Sequence, residues 1–579
     1  MRDFKKEEAL NTLNHSCAHV LAQAVKHLYP HAKFWVGPVV TEGFYYDIDL
    51  GDDVITDDDL PKIEKEMKKI CKDGKRIVRE EISKEEALEM FKDDPYKLDL
   101  IAGLEDGNIT CYRQGDFVDL CRGPHVETVK KCKNFKLLKH SGAYWKGDKD
   151  NKVLQRIYGV CFETPEELQE HLDLLEEAKK RDHKKLGKEL DLFMMSEYAP
   201  GMPFFLPHGM LLRNVLENYW YEEHKKEGYE FIKTPIMMSK ELWEISGHWY
   251  NYKENMYTSY VDDREFAIKP MNCPGSMLVY KNGLHSYKDL PLRMGELGQV
   301  HRHEASGALN GLFRVRTFTQ DDAHIFMTPD QIESEVVRLI AFIDRVYGNL
   351  GLPYDIELST RPEEKFIGDI EIWEKSEAAL AAACKAAGKD YQINPGDGAF
   401  YGPKLDFHVR DSLGRVWQCG TIQLDMNLPE RFDLTYVDKN GEKVRPVMLH
   451  RVIFGSIERF IGILIEHFAG AFPTWLAPTQ VKVIPVKNEY HLEYSKEIYK
   501  LLEDKGIRVE LDDREEKLGY RIREAQMKKI PYQLVLGDKE REERTVTYRQ
   551  YGQQKQTTVS VDEFVEMLIN EIETKSLAK

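Results

Sequence analysis

The stretch that decides the fold is residues 299–326, QVHRHEASGALNGLFRVRTFTQDDAHIF, where two strand-like runs flank the turn-rich loop SGALNGLF. Alternate residues of an extended strand share a face. In the first run this places Arg302 and Glu304 together. In the second run it places together Arg314, Arg316, Phe318, Gln320, Asp322 and His324. These groups suit a site that holds a phosphorylated nucleotide beside a small polar substrate; the alternative is a solvated hairpin with one polar face.

Length and composition limit the class of protein. A chain of 579 residues is too long for one core, so three or four domains are expected. It contains no long apolar run, and its charged amino terminus lacks a signal core, so we expect a cytoplasmic protein without a membrane partner. The nine cysteines are then predicted to be reduced. The net charge of −17 argues weakly against nucleic acid, although local basic strips can coexist with it.

Four regions follow one another along the chain. We predict an α+β unit at 1–165, a charged linker helix at 166–190, the largest unit at 191–475 and a small α/β domain at 476–579. The basic part of the linker, KKRDHKK (179–185), suits a solvated helix face, with RNA contact as the alternative.

The first region contains two short clusters of potential ligands. Asn14 is predicted to cap a helix on which His15 and His19 lie one turn apart. Cys121 and His125 are also four residues apart, in a Gly-Pro turn. The clusters are either unrelated, or they converge on a pocket that binds a metal or positions a water for ester hydrolysis.

Several ordered segments carry a family resemblance. GYEFIKTP (228–235), the 299–324 hairpin and GSIERF (455–460) resemble motifs 1, 2 and 3 of class II aminoacyl-tRNA synthetases. The resemblance is closer to the threonyl-tRNA synthetase family, through KPMNCPG (269–275), TQDDAHIF (319–326), FYGPK (400–404), QCGTIQLD (418–425) and HRVIFGSIERF (450–460).

The resemblance implies an α+β multidomain fold. Its catalytic domain would be a six-stranded antiparallel sheet with helices, between an amino-terminal α+β editing domain and a carboxy-terminal α/β anticodon-binding domain. It also implies a homodimer built partly on motif 1, with tRNA(Thr), ATP and L-threonine as partners and no DNA. The chain begins almost at the editing helix, so the small amino-terminal domain of many family members is absent from this sequence.

For ATP, the resemblance implies activation of threonine as an adenylate, with Mg²⁺ accompanying the nucleotide. Because a carboxylate attacks the α-phosphate directly, positioning and charge neutralisation dominate the catalysis. The catalytic arginines would be Arg302, on the α-phosphate and the substrate carboxylate, and Arg459, on the γ-phosphate. The remaining ATP contacts would be Arg314 on the phosphates, Phe318 stacked on adenine, Glu304 on its amino group and Gln423 on the nucleotide or ribose.

For threonine, the resemblance implies one Zn²⁺ per subunit in the catalytic domain, held by Cys273, His324 and His450. Three protein ligands leave zinc an open position, which in this family takes the amino and hydroxyl groups of threonine. Asp322 would accept the hydrogen bond of the hydroxyl, and Gln320 and Tyr401 would orient the amino group. A site that must ligate a hydroxyl rejects valine, but serine differs only by a methyl group and passes.

The editing domain would therefore hydrolyse seryl-tRNA(Thr). We expect a water positioned by His15, His19, Cys121 and His125, helped by Lys97 and Asp119, and no metal at this cluster. Candidate anticodon contacts are Arg514, Arg523, Glu540 and Arg549, each with a surface charge as the alternative. The resemblance also leaves Ser276 beside Cys273, where many bacterial members have histidine.

Three rival functions remain at this point. Another class II enzyme, such as a prolyl or seryl synthetase, lacks a reason for the Cys273–His324–His450 set. A non-catalytic RNA-binding paralogue usually loses motif residues, which are present here. An editing-only hydrolase has no use for residues 190–475.

Overall fold

The computed structural model describes residues 2–107, 109–364 and 366–577. The chain forms two compact units, Met1–Glu177 and Ala178–Lys579, and the boundary falls inside the helix Pro165–Arg181. Within the described residues, no helix combines the length and the apolar character needed to span a bilayer.

The first unit packs helices on an antiparallel sheet. Its long helix, Glu8–Leu28, begins one and a half turns before Asn14, so the prediction of Asn14 as a cap is wrong. Asn14 is fully buried instead and exchanges hydrogen bonds with the backbone of Cys161, which ties the helix to the sheet. The other helices are Leu60–Asp73, Lys84–Met90 and Pro95–Ala102. The strands are Lys33–Phe34, Val39–Val40, Gly43–Asp49, Asn134–Tyr144 and Val153–Phe162, with a second sheet of Ile77–Ile82, Ile109–Gln114 and Phe117–Leu120.

The second unit is built on an eight-stranded sheet. Six consecutive strands pair antiparallel, as the resemblance implies, but a short parallel strand is added at each edge. The first and last of the eight are therefore the additions to the expected six. In spatial order the strands are Glu230–Phe231, Leu292–His301, Thr317–Met327, Val447–Val452, Val416–Asp425, Lys404–Arg410, Tyr354–Ser359 and Gln392–Asn394.

The loop of the hairpin that opened the sequence analysis is longer than predicted. The strands of the hairpin are Leu292–His301 and Thr317–Met327, so Arg302 and Glu304 follow the first strand and Arg314 and Arg316 precede the second. The loop is therefore longer, and the arginines are held by loop geometry rather than by strand alternation. Phe318, Gln320, Asp322 and His324 do alternate along the second strand, as predicted.

Helices cover this sheet, and smaller sheets flank it. The charged segment 166–190 is two helices, Pro165–Arg181 and His183–Glu189, rather than one. The further helices are Pro207–Lys226, Lys240–Ser246, His248–Tyr252, Cys273–Lys281, Ile332–Asn349, Ile370–Ala386, Leu428–Arg431 and Ile457–His467. The short strands are Phe193–Met194 with Phe204–Phe205, Met237–Ser239 with Thr258–Val261 and Arg264–Ile268, and Tyr436–Val437 with Lys443–Val444.

The carboxy-terminal part has the predicted α/β character. Three parallel strands continue into two antiparallel ones in a five-stranded sheet. Its strands are Val509–Leu511, Val481–Pro485, Tyr532–Leu536, Thr545–Gln550 and Gln556–Ser560, and its helices are Asn488–Asp504, Leu518–Met527, Asp538–Glu543 and Val561–Glu573.

Candidate active and editing sites

Neighbouring strands of the large sheet bring the predicted metal ligands together. His324 and His450 are directly opposite each other in the strand register, so both side chains lie on one face. Cys273 is the first residue of a helix above that face. The ligand atoms of the three residues all lie within 4.8 Å of one another, and all three residues are buried.

The hydrogen bonds around this cluster leave ligand atoms free for a metal. Nδ1 of His324 lies 2.8 Å from Ser276 Oγ, while its Nε2 is buried without a hydrogen-bond partner among the residues that the structure describes. Nε2 of His450 lies 2.8 Å from the Asp425 carboxylate, which leaves Nδ1 on the other side of the ring. A buried unpartnered nitrogen is costly unless a ligand satisfies it, and metal-bound histidines commonly anchor their second nitrogen. The three residues therefore fit zinc with an open position.

Acceptors on the same face of the strand flank the cluster. The Oε1 atom of Gln320 is buried without a hydrogen-bond partner. Asp322 accepts a hydrogen bond of 3.1 Å from Asn272 Nδ2, and burial raises the pKa of Asp322 to about 6. Tyr401 donates to Gln423 Oε1 at 2.8 Å, and Gln423 lies opposite His450 in the register. Gln423, predicted as a nucleotide contact, thus lies beside the metal cluster.

Cationic groups lie farther along this face. Arg302 Nε donates to the Pro270 carbonyl at 3.1 Å, and the guanidinium carbon of Arg302 is 5.0 Å from the Phe318 ring centre. Arg459 lies in the first turn of the helix Ile457–His467, and its Nε is buried without a partner. Unpartnered donors at a helix amino terminus favour an anion. Arg314, in contrast, is exposed and its Nε donates to Glu304 at 2.9 Å.

Asp321 fixes the backbone that leads to Arg459. Its side chain is on the opposite face of the strand, where it accepts hydrogen bonds of 2.8 to 3.0 Å from the three backbone N–H groups of residues 453–455. Glu458 accepts from the backbone N–H of Thr319 at 2.7 Å. The strand that carries the metal ligand therefore also sets the start of the helix that carries Arg459.

In the first unit, the two sequence clusters converge. Cys121 Sγ lies 3.2 Å from His15 Nε2 and 3.2 Å from His125 Nε2. The four possible ligand atoms of His15, His19, Cys121 and His125 are all within 4.8 Å of one another. The reading of these residues as two unrelated clusters is therefore wrong.

A buried polar chain supports this pocket. Lys97 Nζ lies 2.5 Å from Asp119 Oδ1, and His19 Nε2 lies 3.5 Å from Asp119 Oδ2. The Tyr46 hydroxyl donates to the same carboxylate. Burial opposes ionisation of Asp119, but Lys97 and His19 outweigh it and lower the pKa of the carboxyl. The sequence analysis missed Tyr46 because it lies in an apolar strand without any motif.

The three imidazoles and the thiol of the pocket are held neutral. Burial lowers the pKa of His19 to about 4 and also lowers the pKa values of His15 and His125. Burial raises the pKa of the Cys121 thiol to about 12. Neutral imidazoles keep a free lone pair at pH 7 and can accept a hydrogen bond from a water, so the pocket can orient a water for hydrolysis.

Family models match three parts of the chain. Residues 109–158 match the threonyl and alanyl tRNA synthetase second additional domain. Residues 255–468 match the tRNA synthetase class II core domain (G, H, P, S and T), and residues 480–571 match an anticodon binding domain.

Curated relatives match almost the whole chain. A threonine--tRNA ligase of Fusobacterium nucleatum is 57% identical over 99% of this chain and 93% of its own length. One from Clostridium tetani is also 57% identical, over 99% of this chain and 90% of its own length. The chain belongs to the threonyl-tRNA synthetase family.

Solved structures of threonyl-tRNA synthetases share the fold. The crystal structure titled as the RNA binding domain of the Cryptosporidium parvum enzyme is 42% identical, with a TM-score of 0.65 over 67% of this chain and 98% of that one. A putative threonyl-tRNA synthetase of Aeropyrum pernix is 31% identical, with a TM-score of 0.60 over 69% of this chain and 97% of that one.

Of the four anticodon candidates in this threonyl-tRNA synthetase, three make contacts within the protein. Arg514 pairs with Asp512 and Glu524. Glu540 accepts hydrogen bonds from Gly537 N and Thr547 Oγ1, and Arg549 Nε donates to the Gln553 carbonyl. Arg523 is exposed and has no ion pair or hydrogen bond among the described residues. Arg523 is the candidate whose charge is most available to RNA.

Proposed function

We propose how the residues of this threonyl-tRNA synthetase divide the work of charging and editing. The chain is a ligase that attaches threonine to transfer RNA with ATP, and it carries a domain of the editing type. The observation that carries the assignment of the amino acid is the buried set of Cys273, His324 and His450 within 4.8 Å of one another.

Threonine occupies the face of the sheet above these three residues. A zinc ion bound there would supply an open coordination position for the amino and hydroxyl groups of the substrate. Asp322, on the same strand face as His324, accepts the hydrogen bond of the hydroxyl. Gln320 Oε1, buried without a partner, accepts from the amino group, and Tyr401 holds Gln423 beside it. Valine is rejected because it has no hydroxyl to occupy the zinc position or to donate a hydrogen bond to Asp322.

ATP lies beside threonine with its phosphates toward Arg302 and Arg459. The threonine carboxylate oxygen attacks the α-phosphorus, and the bond to the bridging oxygen breaks, so pyrophosphate leaves with that electron pair. Arg302 neutralises charge at the α-phosphate and Arg459 at the γ-phosphate, while Phe318 stacks on the adenine. Arg314 exchanges its contact with Glu304 for the phosphates, which frees Glu304 for the adenine amino group. Mg²⁺ accompanies the nucleotide.

The editing pocket hydrolyses seryl-tRNA(Thr). Neutral His15, His19 and His125 orient a water and accept its proton as its oxygen attacks the ester carbonyl. The ester C–O bond then breaks, and the departing ribose oxygen takes the proton held by the imidazole, while the Lys97–Asp119 pair fixes His19. No metal is needed for this step. The protein works as a homodimer, with Arg523 among the residues that contact the anticodon.

Threonine-dependent pyrophosphate exchange tests the charging site. Exchange is expected with threonine and not with valine. Because the hydroxyl is ligated, kcat/KM should favour threonine by about 10⁴-fold or more. Cys273→Ser is expected to lose bound zinc and most of the exchange, and chelation is expected to do the same to the unaltered protein. Full zinc content and full rejection of valine in Cys273→Ser would show that this assignment is wrong.

Hydrolysis of seryl-tRNA(Thr) tests the editing pocket. Asp119→Asn is expected to slow deacylation by about 10²-fold, the cost of misplacing the imidazole that it orients, with exchange unchanged. Metal analysis should find one zinc per chain. A second zinc that disappears in the His15→Ala, His19→Ala double variant would contradict metal-free editing.

A further inference from the structure

His183 is buried although it lies in a strongly basic segment of the chain. It is the first residue of the helix His183–Glu189, within KKRDHKK, and only 1% of it is exposed. The segment was predicted as a solvated face or an RNA contact, and neither describes this residue. Its imidazole points into the catalytic core instead.

Both ring nitrogens of His183 form hydrogen bonds. The backbone N–H of Leu312 lies 3.0 Å from Nε2, and a backbone N–H can only donate. Nε2 is therefore the acceptor, and the proton is on Nδ1, which donates to Glu466 Oε1 at 2.7 Å. The residue is a neutral histidine fixed in one tautomer, with partners on two separate catalytic motifs.

These two partners belong to the segments that carry the ATP-binding arginines. Leu312 lies in the motif 2 loop, two residues before Arg314, and Glu466 lies near the end of the motif 3 helix that carries Arg459. The approach of the loop is close, because a Cβ at Gly311, whose φ is +49°, would lie 2.2 Å from His183 Nε2. The glycine therefore allows the loop to reach the imidazole.

An aromatic series continues from His183 toward the phosphate-binding region. The imidazole centre is 3.9 Å from the Phe313 ring centre, and Phe313 is 4.5 Å from the Trp417 ring centre. The guanidinium carbon of Arg459 lies 5.9 Å from the Trp417 ring centre. Displacement of the loop would move Phe313 and remove the support of the surface against which Arg459 lies.

We propose that His183 is a positioning residue that holds the motif 2 loop against the motif 3 helix and so sets the placement of Arg314 and Arg459 for ATP. It touches no substrate. The inference rests on the proposed charging function, and it assigns the linker segment a part in nucleotide binding.

Two substitutions separate the contacts of His183. Asparagine can still donate to Glu466 but is too short to reach Leu312, whereas the longer glutamine can accept from the Leu312 N–H. In threonine-dependent exchange, His183→Asn is expected to raise the KM for ATP about tenfold, equivalent to about 1.4 kcal/mol. The KM for threonine and the zinc content should stay unchanged, and His183→Gln should restore most of the ATP affinity.

A matched control is His224→Asn. His224 is also buried in the second unit, and its Nδ1 lies 2.6 Å from the carbonyl of Trp220 on its own helix. Loss of the His224 imidazole should lower the stability of the protein without raising the KM for ATP. If His183→Asn fails to fold, Gly311→Ala tests the same contact from the loop side and should give the same ATP-selective change.

The outcomes distinguish failure of the positioning role from failure of the proposed charging function. Absence of threonine-dependent exchange in the unaltered protein would overturn the proposed function. Normal exchange in the unaltered protein, with an unchanged KM for ATP in His183→Asn or Gly311→Ala, would overturn the positioning role alone. Equal rises in the KM for ATP and in the KM for threonine in these variants would also overturn the positioning role.

Discussion

The hydroxyl of Ser276 determines which nitrogen of His324 faces the metal position. Its Oγ lies 2.8 Å from Nδ1, so Nε2 is the atom left without a partner. Serine stands where the family resemblance led us to expect histidine, and a hydroxyl makes the same kind of anchoring contact in a smaller volume. The ligand is therefore held by a neighbour that differs from the expected one.

Removal of that hydroxyl should weaken metal binding. Ser276→Ala is expected to lower zinc affinity by about 10- to 100-fold, the usual cost of losing a group that orients a ligand. Competition against a coloured chelator measures the affinity. Ser376→Ala is the matched control, because Ser376 is equally buried and its Oγ donates to the Ile372 carbonyl, far along the chain from the ligands. Equal affinities in the two variants would contradict the prediction.

The pH profile of editing should follow the low pKa of His19. Because burial lowers this pKa to about 4 from 6.5, His19 is neutral at pH 7 and is protonated only as the pH falls through about 4. Deacylation by the protein should therefore be nearly constant between about pH 6 and pH 8. The unfolded chain binds more protons in the window between the two pKa values, so stability should fall as the pH falls below about 6.5.

His171 provides the control for this profile. Burial also lowers its pKa to about 4, but it packs against Phe4 and Phe162 away from the editing pocket. His171→Phe should reduce the acid sensitivity of stability and leave the pH profile of deacylation unchanged. A deacylation rate that falls with an apparent pKa near 6.5 would mean that a different, exposed group governs editing.

At the scale of elements, the helix Pro207–Lys226 and the strand Val509–Leu511 are joined through a titrating pair. His208 Nε2 lies 3.2 Å from Glu510, and this hydrogen bond raises the pKa of His208 against the effect of burial. A raised histidine pKa stabilises the fold fully below the unfolded pKa, and this contribution is lost as the pH rises through the folded value.

The stability of the second unit should therefore decline from about pH 6 to pH 8 more steeply in the unaltered protein than in His208→Gln. Thermal unfolding at several pH values measures the difference. Glu510→Gln should remove the same pH-dependent part, and the double variant should add nothing further. Additive losses from the two substitutions would show that the pair does not act as a unit.

The hairpin shows how far the sequence determines its own elements. Alternation predicted the shared face of Phe318 to His324, because strand geometry follows from a local period of two. It failed for Arg314 and Arg316, because the loop is held by His183, a partner 129 residues from Leu312. Contacts at such separations leave no local pattern.

The candidate metal ligands were predicted only through family resemblance. Cys273, His324 and His450 lie in three separate segments, and no spacing rule joins them. The sequence analysis assigned no role to Ser276, Asp425 or Tyr46. Each of them orients a neighbouring site residue and belongs to no recognisable motif. The family resemblance gave the ligands, and the side-chain contacts gave the groups that orient them.

At the scale of the whole molecule, the residues proposed for charging and for editing lie in different compact units. The editing pocket is in Met1–Glu177 and the metal cluster is in Ala178–Lys579, and each unit has its own buried core. The two reactions therefore need not share any side chain.

A chain lacking residues 1–164 should keep the charging reaction. Threonine-dependent exchange and zinc content are expected to be unchanged, whereas hydrolysis of seryl-tRNA(Thr) should be lost and mischarged product should accumulate. Aminoacylation with serine measures the accumulation, and Asp119→Asn in the full chain should reproduce it. Continued hydrolysis by the shortened chain would place editing outside the first unit.

Because His324 and His450 are opposite each other on two strands, the proposed zinc would also report whether the sheet has folded correctly. A slip of one residue in the pairing of Val447–Val452 would turn His450 to the far face and bring Arg451 in its place. A misregistered chain would have two of the three ligands and would release zinc readily. The amount of zinc retained after refolding would therefore measure the fraction of molecules whose central strands have paired in the correct register.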